Sequence, residues 1–517
     1  MNAFVKERSL ILELGVMNCL LISIAAAALV LYVRWRNSRK HLYELGAKVP
    51  IPDCAKSLPI LGHSLYFIGD TERILNNVKY ISTNCESPGT IWLAHRLFFL
   101  LTTPADLEIA LNSPKSLEKD DLYRFSRSLA GKGLFSLEVD AWKVHRKLIT
   151  PTFHPRILDS FVNVFVEQSN VLVEILQGKV HEMFNIGEHL TAATLEMVTQ
   201  TAMGVKLNKQ LGNCKLGEQL NRGLEIMFMR MFNVPLHFDF IFELSGLAKE
   251  ERGIIDSFLN FIKKVINDKK VEKKLKMLET EAEIDDIKKR KVFLDHLLEL
   301  SEQNLLTEEE IIDEVRTFMI GGSDTSATVI SFVLVCLGMF PEYQQKVYEE
   351  VIDVIGYDRD IECEDIPKFK YLEMCIKETM RLFPIGPNIV RKVTEDLQIG
   401  DHMLPEGSGL VLCIYTVHRN DKYFPDHMRF DPERFSPEEC AKRHPYAYLP
   451  FAGGPRNCIG MKFGYNMMKI VLATLVRKFF IETSFQKIED IRVKQSLIIK
   501  SILGYPVKLT PRNSDLI

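Results

Sequence analysis

One cysteine of the chain stands in a stretch whose residue types suit chemistry better than packing. The segment FAGGPRNCIG, residues 451–460, places Cys458 among glycines and shortly after Arg456. A nucleophilic thiol needs a paired base, and no recognisable histidine motif lies near this cysteine. A zinc site needs several soft ligands, and Cys458 has no companion cysteine at metal-ligand spacing. An axial thiolate ligand to haem iron needs one cysteine alone, so the stretch favours that chemistry.

The neighbours of Cys458 fit this interpretation. Glycines leave room for a flat macrocycle, and an open loop supplies backbone N–H groups that moderate the electron density on the sulfur. Arg456 is a candidate partner for the haem propionates, and Phe451 is a candidate shield beside the sulfur. The other cysteines are scattered and form no C-x-x-C pair, so most of them are expected to be packing residues.

A long helix is predicted to hold a second group of chemical residues. Thr307 followed by Glu310 predicts an N-cap and a capping box. The apolar periodicity then continues to Phe340, and Pro341 ends it. Such a helix would have roughly 30 residues and a length of about 50 Å, long enough to cross a whole domain.

The middle of this predicted helix carries the sequence MIGGSDTSA, residues 319–327. Gly321 and Gly322 each cost a helix about 1 kcal/mol, so their presence needs a reason. One interpretation is a helix–helix crossing at small residues, and the other is a bulky flat ligand that approaches the backbone. In the second case Asp324 and Thr325 would offer a carboxylate and a hydroxyl for proton delivery. The motif alone leaves both interpretations open.

An ion-pair cluster is predicted between the two motifs. In KETMRLFP, residues 377–384, Glu378 and Arg381 stand at i, i+3 on one helix face and within reach of each other. Taken alone, such a pair is usually a surface contact of small energy. Arg434, in the segment FDPERF, could complete a network of two arginines and one glutamate, because a guanidinium suits bidentate pairing.

The amino terminus carries a predicted membrane anchor. Residues 14–33 form an uncharged apolar run of about 20 residues, the length that spans a bilayer core. Basic residues follow the run and predict a cytosolic C-terminal side. A cleaved signal peptide is the alternative, but this run is longer than a signal-peptide core and its charge bias is reversed for translocation. The basic residues are Arg34, Arg36, Arg39 and Lys40.

The whole chain divides into three predicted regions. The anchor occupies residues 1–36, a basic and proline-rich hinge occupies residues 37–64, and a catalytic domain occupies residues 65–517. The prolines favour an extended, semi-rigid hinge that would hold the domain against the membrane surface. The net charge of −3 gives no overall field for nucleic acid, so we expect no such partner.

Helix dominates the predicted secondary structure of the catalytic domain. The pattern is mostly helical over residues 104–390, and a further helix is predicted near 459–479. Residues 90–103 predict a hairpin, and residues 396–419 predict strands around a Pro-Glu-Gly turn. The dense charge run at 262–291 predicts a solvated helix end and loop. The fold class is therefore mainly α with minor β sheets.

The motifs together resemble a known family. The stretch FAGGPRNCIG matches F-x-x-G-x-R-x-C-x-G, the haem-ligand signature of the cytochromes P-450. GGSDTS looks like the family's oxygen-activating motif, E-x-x-R with P-x-R-F looks like its structural triad, and WKVHR is similar to its W-x-x-x-R motif. The resemblance covers nearly the whole chain and implies the P-450 fold, preceded by an N-terminal transmembrane helix.

The resemblance implies a role for each matching residue. Cys458 would be the axial ligand of a haem b iron, and Asp324 with Thr325 would guide protons to bound dioxygen. The other matches would face the haem, hold its propionates or form the structural triad. The haem-facing residues are Gly321, Gly322 and Phe451, the propionate residues are Arg456, Trp142, Arg146 and Arg391, and the triad is Glu378, Arg381 and Arg434.

Within the family, EVRTFMIGGSDTS is similar to the family-4 pattern E-V-D-T-F-M-F-E-G-H-D-T-T, and arthropod family-4 enzymes look nearest. Many family-4 enzymes carry a glutamate that forms an ester to a haem methyl. Gly321 stands at that position and has no carboxylate, so covalent haem attachment is not expected. Ser323 and Arg316 also depart from the pattern, where histidine and aspartate are usual.

The implied activity is that of a haem-thiolate monooxygenase, which inserts one atom of dioxygen into an apolar substrate. The electrons would come from NADPH through a membrane-bound reductase, with cytochrome b5 as a second candidate donor. The chain would be a single-pass protein of the endoplasmic reticulum membrane with a cytosolic catalytic domain. Candidate cations for the acidic donor are Lys143, Lys147, Lys462 and Arg443.

Other functions compete with this one. A haem-thiolate isomerase or dehydratase tends to lack the acid–alcohol pair that Asp324 and Thr325 form. A non-catalytic haem carrier would not require the glycine-opened helix, and a membrane-tethered cysteine hydrolase would need a base motif. The substrate classes open to the enzyme are fatty acids, hydrocarbons, terpenoid hormones and xenobiotics. The Met/Phe stripe FMRMFN, residues 228–233, lines either a substrate pocket or the core.

Overall fold

The computed structural model describes residues 2–206, 215–279 and 292–512. It is mainly helical, as predicted. The helices are α1 Asn2–Ser38, α2 Lys40–Gly46, α3 Thr71–Thr83, α4 Pro104–Asn112, α5 Arg127–Ala130, α6 Val139–Ile149, α7 Pro155–Asp159, α8 Val162–Gln177, α9 Gly187–Met203, α10 Lys215–Phe232, α11 Asp239–Leu244, α12 Gly246–Glu279, α13 Phe293–Glu302, α14 Glu308–Met339, α15 Pro341–Ile355, α16 Lys370–Leu382, α17 Ile414–His418, α18 Pro437–Ala441 and α19 Met461–Lys478.

The strands are short and form small sheets. They are β1 Gly89–Leu93, β2 Arg96–Leu101, β3 Met183–Asn185, β4 Ile389–Lys392, β5 Leu397–Ile399, β6 His402–Leu404, β7 Gly409–Leu412, β8 Phe479–Thr483, β9 Val493–Gln495, β10 Ile499–Ser501 and β11 Pro506–Pro511.

Helix α14 begins and ends where the sequence predicts. The Thr307 hydroxyl accepts a hydrogen bond from the Glu310 N–H at 3.2 Å, and the Glu310 carboxylate accepts one from the Thr307 N–H at 2.8 Å. This capping box fixes the first turn. The helix runs for 32 residues to Met339, and Phe340 caps it before Pro341. Most of its side chains are buried, chiefly against α9, so α14 forms the centre of the core.

The main sheet has the strand order β1–β2–β7–β4. β1 and β2 are antiparallel around Ala94 and His95, which confirms the hairpin predicted in residues 90–103. β7 pairs in parallel with β2 and antiparallel with β4. Beyond β4, an isolated bridge joins Arg391 to Lys119, so the sheet brings these two basic residues side by side.

The prediction of strands throughout residues 396–419 is partly wrong. β5, β6 and β7 lie in this region, but Ile414–His418 forms helix α17. The β-branched and aromatic residues of this segment favour a strand locally. All its side chains are buried, however, and the His418 carbonyl accepts a hydrogen bond from Arg381 at 3.0 Å. Tertiary contacts therefore override the local preference.

Two helices among the described residues are long and apolar enough to cross a membrane. In α1 the candidate span is Val16–Ser38, with 23 residues and none of the apolar window buried, and it overlaps the span predicted at 14–33. In α14 the window is 83% buried, so α14 is a core helix. An unburied apolar helix at the amino terminus is consistent with membrane attachment.

The segment after α1 packs on the main sheet. It contains helix α2, which the proline pattern did not predict, and then continues without helix or strand to residue 63. The His63 N–H donates to the Trp92 carbonyl at 2.6 Å, and the Thr90 N–H donates to the Pro50 carbonyl at 2.7 Å. Of the charged run predicted at 262–291, the first part is the end of α12, and residues 280–291 lie outside the described residues.

Candidate functional site

The loop that carries Cys458 leads directly into α19. The Cys458 N–H donates to the Phe451 carbonyl at 3.0 Å, which closes the loop, and the Phe451 ring lies 5.2 Å from that of Tyr465. Desolvation by the surrounding protein raises the pKa of the Cys458 thiol, although the residue is exposed, and the N–H of Gly460 and the guanidinium of Arg146 oppose only part of that rise. The same N–H and cation would stabilise a thiolate once a metal ion binds the sulfur.

Glycine is required in this loop for a reason that the sequence did not show. Gly454 has φ of +68°, and a Cβ there would lie 2.1 Å from the Leu111 carbonyl oxygen of α4. Ala452 also has a positive φ, of 60°. Gly460 is less constrained, because its Cβ would lie 3.8 Å from Phe153, an ordinary contact. The loop conformation and its approach to α4 therefore account for Gly454 without any ligand.

The two glycines of α14 have different surroundings. A Cβ on Gly322 would lie 3.1 Å from Val198 of α9, so this glycine permits two helices to cross closely. A Cβ on Gly321 would meet no atom of the described chain within 4 Å. Thr325 lies one turn later, and its hydroxyl donates to the Gly321 carbonyl at 2.7 Å. The helix-crossing interpretation thus holds for Gly322, while Gly321 leaves an open helix face where a flat ligand could lie.

Asp324 is an ion-paired carboxylate. Its Oδ1 lies 2.7 Å from the Lys500 Nζ of β10. Its Oδ2 is buried and has no hydrogen-bond partner among the residues that the structure describes. Sequence reasoning identified Asp324 but missed Lys500, because the two residues are 176 positions apart and no local motif marks the lysine.

Three basic residues converge beyond the edge strand β4. Arg391 of β4 bridges to Lys119 in the loop after α4. The guanidinium of Arg456 stacks over the Trp142 ring at 4.7 Å, and its Nη2 donates to the Leu137 carbonyl at 2.8 Å. We call Lys119, Arg391 and Arg456 the cation cluster. Sequence reasoning found both arginines and Trp142 but missed Lys119, which stands in a loop without a motif.

The cation cluster is electrostatically incomplete. The Nη1 of Arg391 and the Nε and Nη1 of Arg456 are buried and have no hydrogen-bond partner among residues 2–206, 215–279 and 292–512. Burial and then the neighbouring Arg391 lower the pKa of Arg456 to about 10. Burial, Arg391 and Arg456 also lower the pKa of Lys119. Buried cations that repel one another are costly without an anion, and Glu118 offsets only part of this cost at the two arginines, so the cluster is a candidate anion site.

The nearest carboxylate does not fill this site. Glu118 accepts hydrogen bonds from the N–H groups of Lys119 at 3.2 Å and Val139 at 2.9 Å. Arg146, for which the sequence predicts contact with a propionate, donates to the carbonyl and side-chain oxygens of Asn457 at 3.0 and 2.9 Å. Arg146 therefore supports the loop immediately before Cys458.

The structure brings Glu378, Arg381 and Arg434 together. The Arg381 guanidinium donates to both Glu378 oxygens at 2.7 Å, and both side chains are 0% exposed. Arg434 lies 3.6 Å from the same carboxylate. Burial raises the pKa of Glu378, and the hydrogen bond and charge of Arg381 oppose that rise. Arg381 also donates to the carbonyls of His418 and His427, so the cluster ties α16 to the segments before the Cys458 loop.

Besides Gly321, two further departures from the family-4 pattern in α14, Arg316 and Ser323, are both engaged in contacts. Arg316 donates to the Leu129 carbonyl of α5 at 3.0 Å and pairs with Asp313 at 3.2 Å. Ser323 donates to the Met319 carbonyl at 2.7 Å. These side chains therefore have structural partners of their own.

A cavity lies between the main sheet, α3, α10 and the β9–β10 hairpin. Its walls are almost entirely apolar, and Phe228, Met231 and Phe232 of the Met/Phe stripe contribute to them. An amide pair supplies polar groups, because the Asn388 Nδ2 lies 3.4 Å from the Gln495 Oε1. An apolar cavity with few polar groups suits an apolar small molecule.

Comparison with known proteins agrees with this geometry. The family model for cytochrome P450 matches residues 52–509. Cytochrome P450 4V2 of Mus musculus is 35% identical over 475 residues, which cover 90% of each chain. Cytochrome P450 4c3 of Drosophila melanogaster is 35% identical over 505 residues, which cover 94% of this chain and 93% of that protein.

A third relative covers still more of its own length. Cytochrome P450 4c21 of Blattella germanica is 34% identical over 511 residues, which cover 97% of this chain and 100% of that protein. Among solved structures, the cytochrome P450DA heme domain superposes with a TM-score of 0.76 at 21% identity and covers 90% of this chain and 98% of that one. This structural match shows the fold.

All these matches are cytochromes P450, and the relatives belong to family 4, as the resemblance of the α14 motif predicts. The cysteine-hydrolase alternative has no counterpart among them. The family implies a haem-iron cofactor, which the thiol and the anion site of this chain suit. The chain therefore belongs to the cytochrome P450 family and is a cytochrome P450 monooxygenase.

Proposed function

We propose that this monooxygenase hydroxylates an apolar, lipid-like substrate at a haem whose axial ligand is Cys458. The observation that carries the proposal is the presence of one cysteine with a backbone N–H and a cation beside it, together with an incomplete cation cluster. A thiolate-ligated haem needs one sulfur, and its propionates need cations. The Cys458 loop and the cation cluster supply both.

The Cys458 loop, the cation cluster and the open face at Gly321 would each suit a part of the haem. Cys458 would hold the iron, with the Gly460 N–H beside the sulfur and Phe451 next to it in the loop. The unpartnered guanidinium atoms of the cation cluster would receive the propionates, and the open face at Gly321 would lie along the ring. When bound, the haem supplies the activation of dioxygen and the insertion of one oxygen atom into a C–H bond.

The haem would be held without a covalent bond from α14. Gly321 occupies the family-4 ester position and has no carboxylate to form the link. The binding energy would instead come from the thiolate, the cation cluster and Trp142, which orients Arg456 by stacking.

Asp324 and Thr325 would deliver protons. The free Oδ2 of Asp324 is the oxygen that can carry a proton, because Oδ1 is committed to Lys500. The Thr325 hydroxyl donates its proton to the Gly321 carbonyl and keeps its lone pairs available to accept a hydrogen bond on the open face. These two groups stand at successive positions of α14: Asp324 is buried, whereas Thr325 is half-buried and lies on the open face beside Gly321.

The cavity supports a lipid-like substrate. Its apolar walls would bind hydrocarbon, and the amides of Asn388 and Gln495 would hydrogen-bond a polar group of the substrate. Fatty acids, hydrocarbons, terpenoid hormones and apolar xenobiotics all present such surfaces, and those with a terminal polar group would use the amide pair.

The apolar amino-terminal helix and the exposed lysines support the proposed location and partners. We place the protein in the endoplasmic reticulum membrane through the segment 1–36, with the hinge 37–64 and the catalytic domain 65–517 on the cytosolic side. NADPH would supply electrons through a reductase, with cytochrome b5 as a second donor. Lys147 and Lys462 are exposed cations for such a donor, and Lys143 is exposed with Asp140 at 3.6 Å.

Arg443 is a weaker candidate for that surface. Its guanidinium stacks over Phe424 at 4.9 Å and donates to the Arg434 carbonyl. These contacts hold the Arg443 side chain against residues beside the triad, so it is less available than the exposed lysines to contact an electron donor.

A turnover assay tests the proposed function. The purified protein with NADPH and a reductase is incubated with a panel of fatty acids, hydrocarbons and terpenoids, and products are identified by mass spectrometry. We expect hydroxylated product from at least one class and none from Cys458→Ser. Reductase-dependent NADPH oxidation with no oxygenated product from any class would contradict the proposal.

A further inference from the structure

Lys500 is placed at the meeting point of three elements. It belongs to β10 of the β9–β10 hairpin, and its Nζ contacts Asp324 of α14 at 2.7 Å and the Asn221 side chain of α10. The Lys500 side chain is 17% exposed and that of Asp324 is 9% exposed. An ion pair so shielded from water holds its geometry better than a surface pair does.

The hairpin is attached to α10 at a second point. Lys494 of β9 forms an ion pair with Glu225, which lies one helical turn beyond Asn221. The same two elements line the cavity, with Gln495 and Leu497 on the hairpin side. The position of Lys500 therefore depends on the two walls that a substrate would contact.

We propose that Lys500 is a positioning residue that fixes the orientation of the Asp324 carboxylate and ties it to the walls of the substrate cavity. With Oδ1 bound to Lys500, the carboxylate cannot rotate freely about its χ2 bond, and Oδ2 is kept as the free oxygen. This inference rests on the proposed proton-delivery role of Asp324.

The arrangement has a mechanistic consequence. An ammonium group has three donors, and here two of them join α14 to α10. A displacement of α10 or of the hairpin must therefore lengthen one of these contacts. Proton delivery at Asp324 would respond to how the cavity is filled, although Asp324 itself does not line that cavity.

Chemical labelling tests the contact without any turnover. The protein is treated briefly with an amine-acylating reagent, and the modification of Lys500 is measured by mass spectrometry. We expect Lys500 in the native protein to react several-fold more slowly than in Asp324→Asn, with Asn221→Leu between them, while Lys494 reacts alike in all three. Equal labelling of Lys500 in the three proteins would overturn the proposal.

The functional role of Lys500 is tested by measuring how the electrons consumed divide between peroxide and oxygenated product. Lys500→Met is compared with Lys508→Met, which removes a half-exposed lysine of β11 paired with Glu482, and with Thr325→Ala as a reference for uncoupling. We expect Lys500→Met to raise the ratio of peroxide to oxygenated product by about tenfold or more, the effect of losing one charge-assisted hydrogen bond. Lys500→Arg should restore most of the coupling, and Lys508→Met should stay near the native ratio.

Two results separate the failure of this inference from failure of the proposed function. If Lys500→Met still forms product and keeps the native ratio of peroxide to oxygenated product, the positioning role of Lys500 is overturned. The proposed function is then unaffected. The absence of product from the native protein would contradict the proposed substrate class, and the labelling result would still decide whether Lys500 holds Asp324.

Discussion

The protein contains two clusters of buried arginine that differ in whether their charges are satisfied. In the triad, Arg381 has both oxygens of Glu378 and the carbonyls of His418 and His427 as acceptors. In the cation cluster, Arg391 and Arg456 keep buried nitrogen atoms without a partner in the described part of the chain. The first cluster contains its own carboxylate, and the Arg434 Nε, 3.6 Å from Glu378, is its one buried nitrogen without a hydrogen bond. In the second cluster no carboxylate of the described chain pairs with the guanidinium groups, so we interpret it as a site for an anion from outside the protein.

This difference distinguishes a structural site from a binding site. A satisfied buried pair holds segments of the fold together, and removing one member leaves an unpaired charge. An unsatisfied cluster is costly to the folded protein unless a ligand supplies the missing partner, so we interpret its residues as ligand-binding residues. Sequence motifs named the arginines of both sets but not Lys119, and the hydrogen-bond partners distinguish the two sets from each other.

The largest expected effect concerns the satisfied cluster. Arg381→Met should lower the free energy of unfolding by about 3–5 kcal/mol, because it leaves the Glu378 carboxylate buried without its partner. Denaturant unfolding measures this change. The matched control is Arg492→Met, which removes a solvent-exposed guanidinium paired with Glu72 and should change the unfolding free energy far less than Arg381→Met does. Equal losses in the two variants would remove the distinction between the clusters.

A second expected effect concerns the unsatisfied cluster. Arg456→Met should weaken haem binding by about tenfold to a hundredfold, the usual effect of losing a group that supports a metal site. Its unfolding free energy in the absence of haem should change by less than about 1 kcal/mol, because unpaired buried nitrogens are removed along with the bond to Leu137.

Haem titration of the purified variants, followed by absorbance, measures this binding. Arg492→Met again serves as the control and should bind haem normally. Haem affinity unchanged in Arg456→Met, or a large loss of stability without haem, would show that this cluster is structural as well.

A smaller expected effect concerns how the stability contributed by one satisfied carboxylate, Asp365, depends on pH. Asp365 is a satisfied carboxylate: burial alone would raise its pKa, but hydrogen bonds from Arg359, the Glu362 N–H and Lys368 hold that pKa at about 2. The folded pKa lies below the unfolded value of about 4, so the stabilisation is present above pH 4 and is lost as pH falls towards 2.

Asp365→Asn should therefore lower the unfolding free energy by about 1–2 kcal/mol at neutral pH, after allowance for the partly exposed cations. The difference from the native protein should shrink steadily in acid. Unfolding curves at several pH values between neutral and about 3 check this, and a difference independent of pH would contradict the proposed cause.

Local patterns predicted much of the fold. The capping box of Thr307 and Glu310 and the stop at Pro341 determined the bounds of α14, and i, i+3 spacing brought Glu378 and Arg381 together. These features depend on residues that are close in the sequence. Where tertiary burial opposed a local preference, as in helix α17, the prediction of a strand was wrong.

The missing parts of the site depend on long-range pairing. Lys119 joins the cation cluster only because the strand order places β4 beside the loop after α4. Lys500 reaches Asp324 because a hairpin near the C-terminus folds against α14 and α10. Such lysines carry no motif, so a single sequence does not distinguish them from surface lysines.

The most direct measurement of the central claim is the absorption spectrum of the reduced, carbon monoxide-bound protein. The native protein should show the band of a thiolate-ligated haem, and Cys440→Ser, which alters an exposed cysteine outside the site, should keep it. Cys458→Ser should lose that band while the cation cluster still retains haem. A thiolate band that survives in Cys458→Ser would contradict the assignment of Cys458 as the iron ligand.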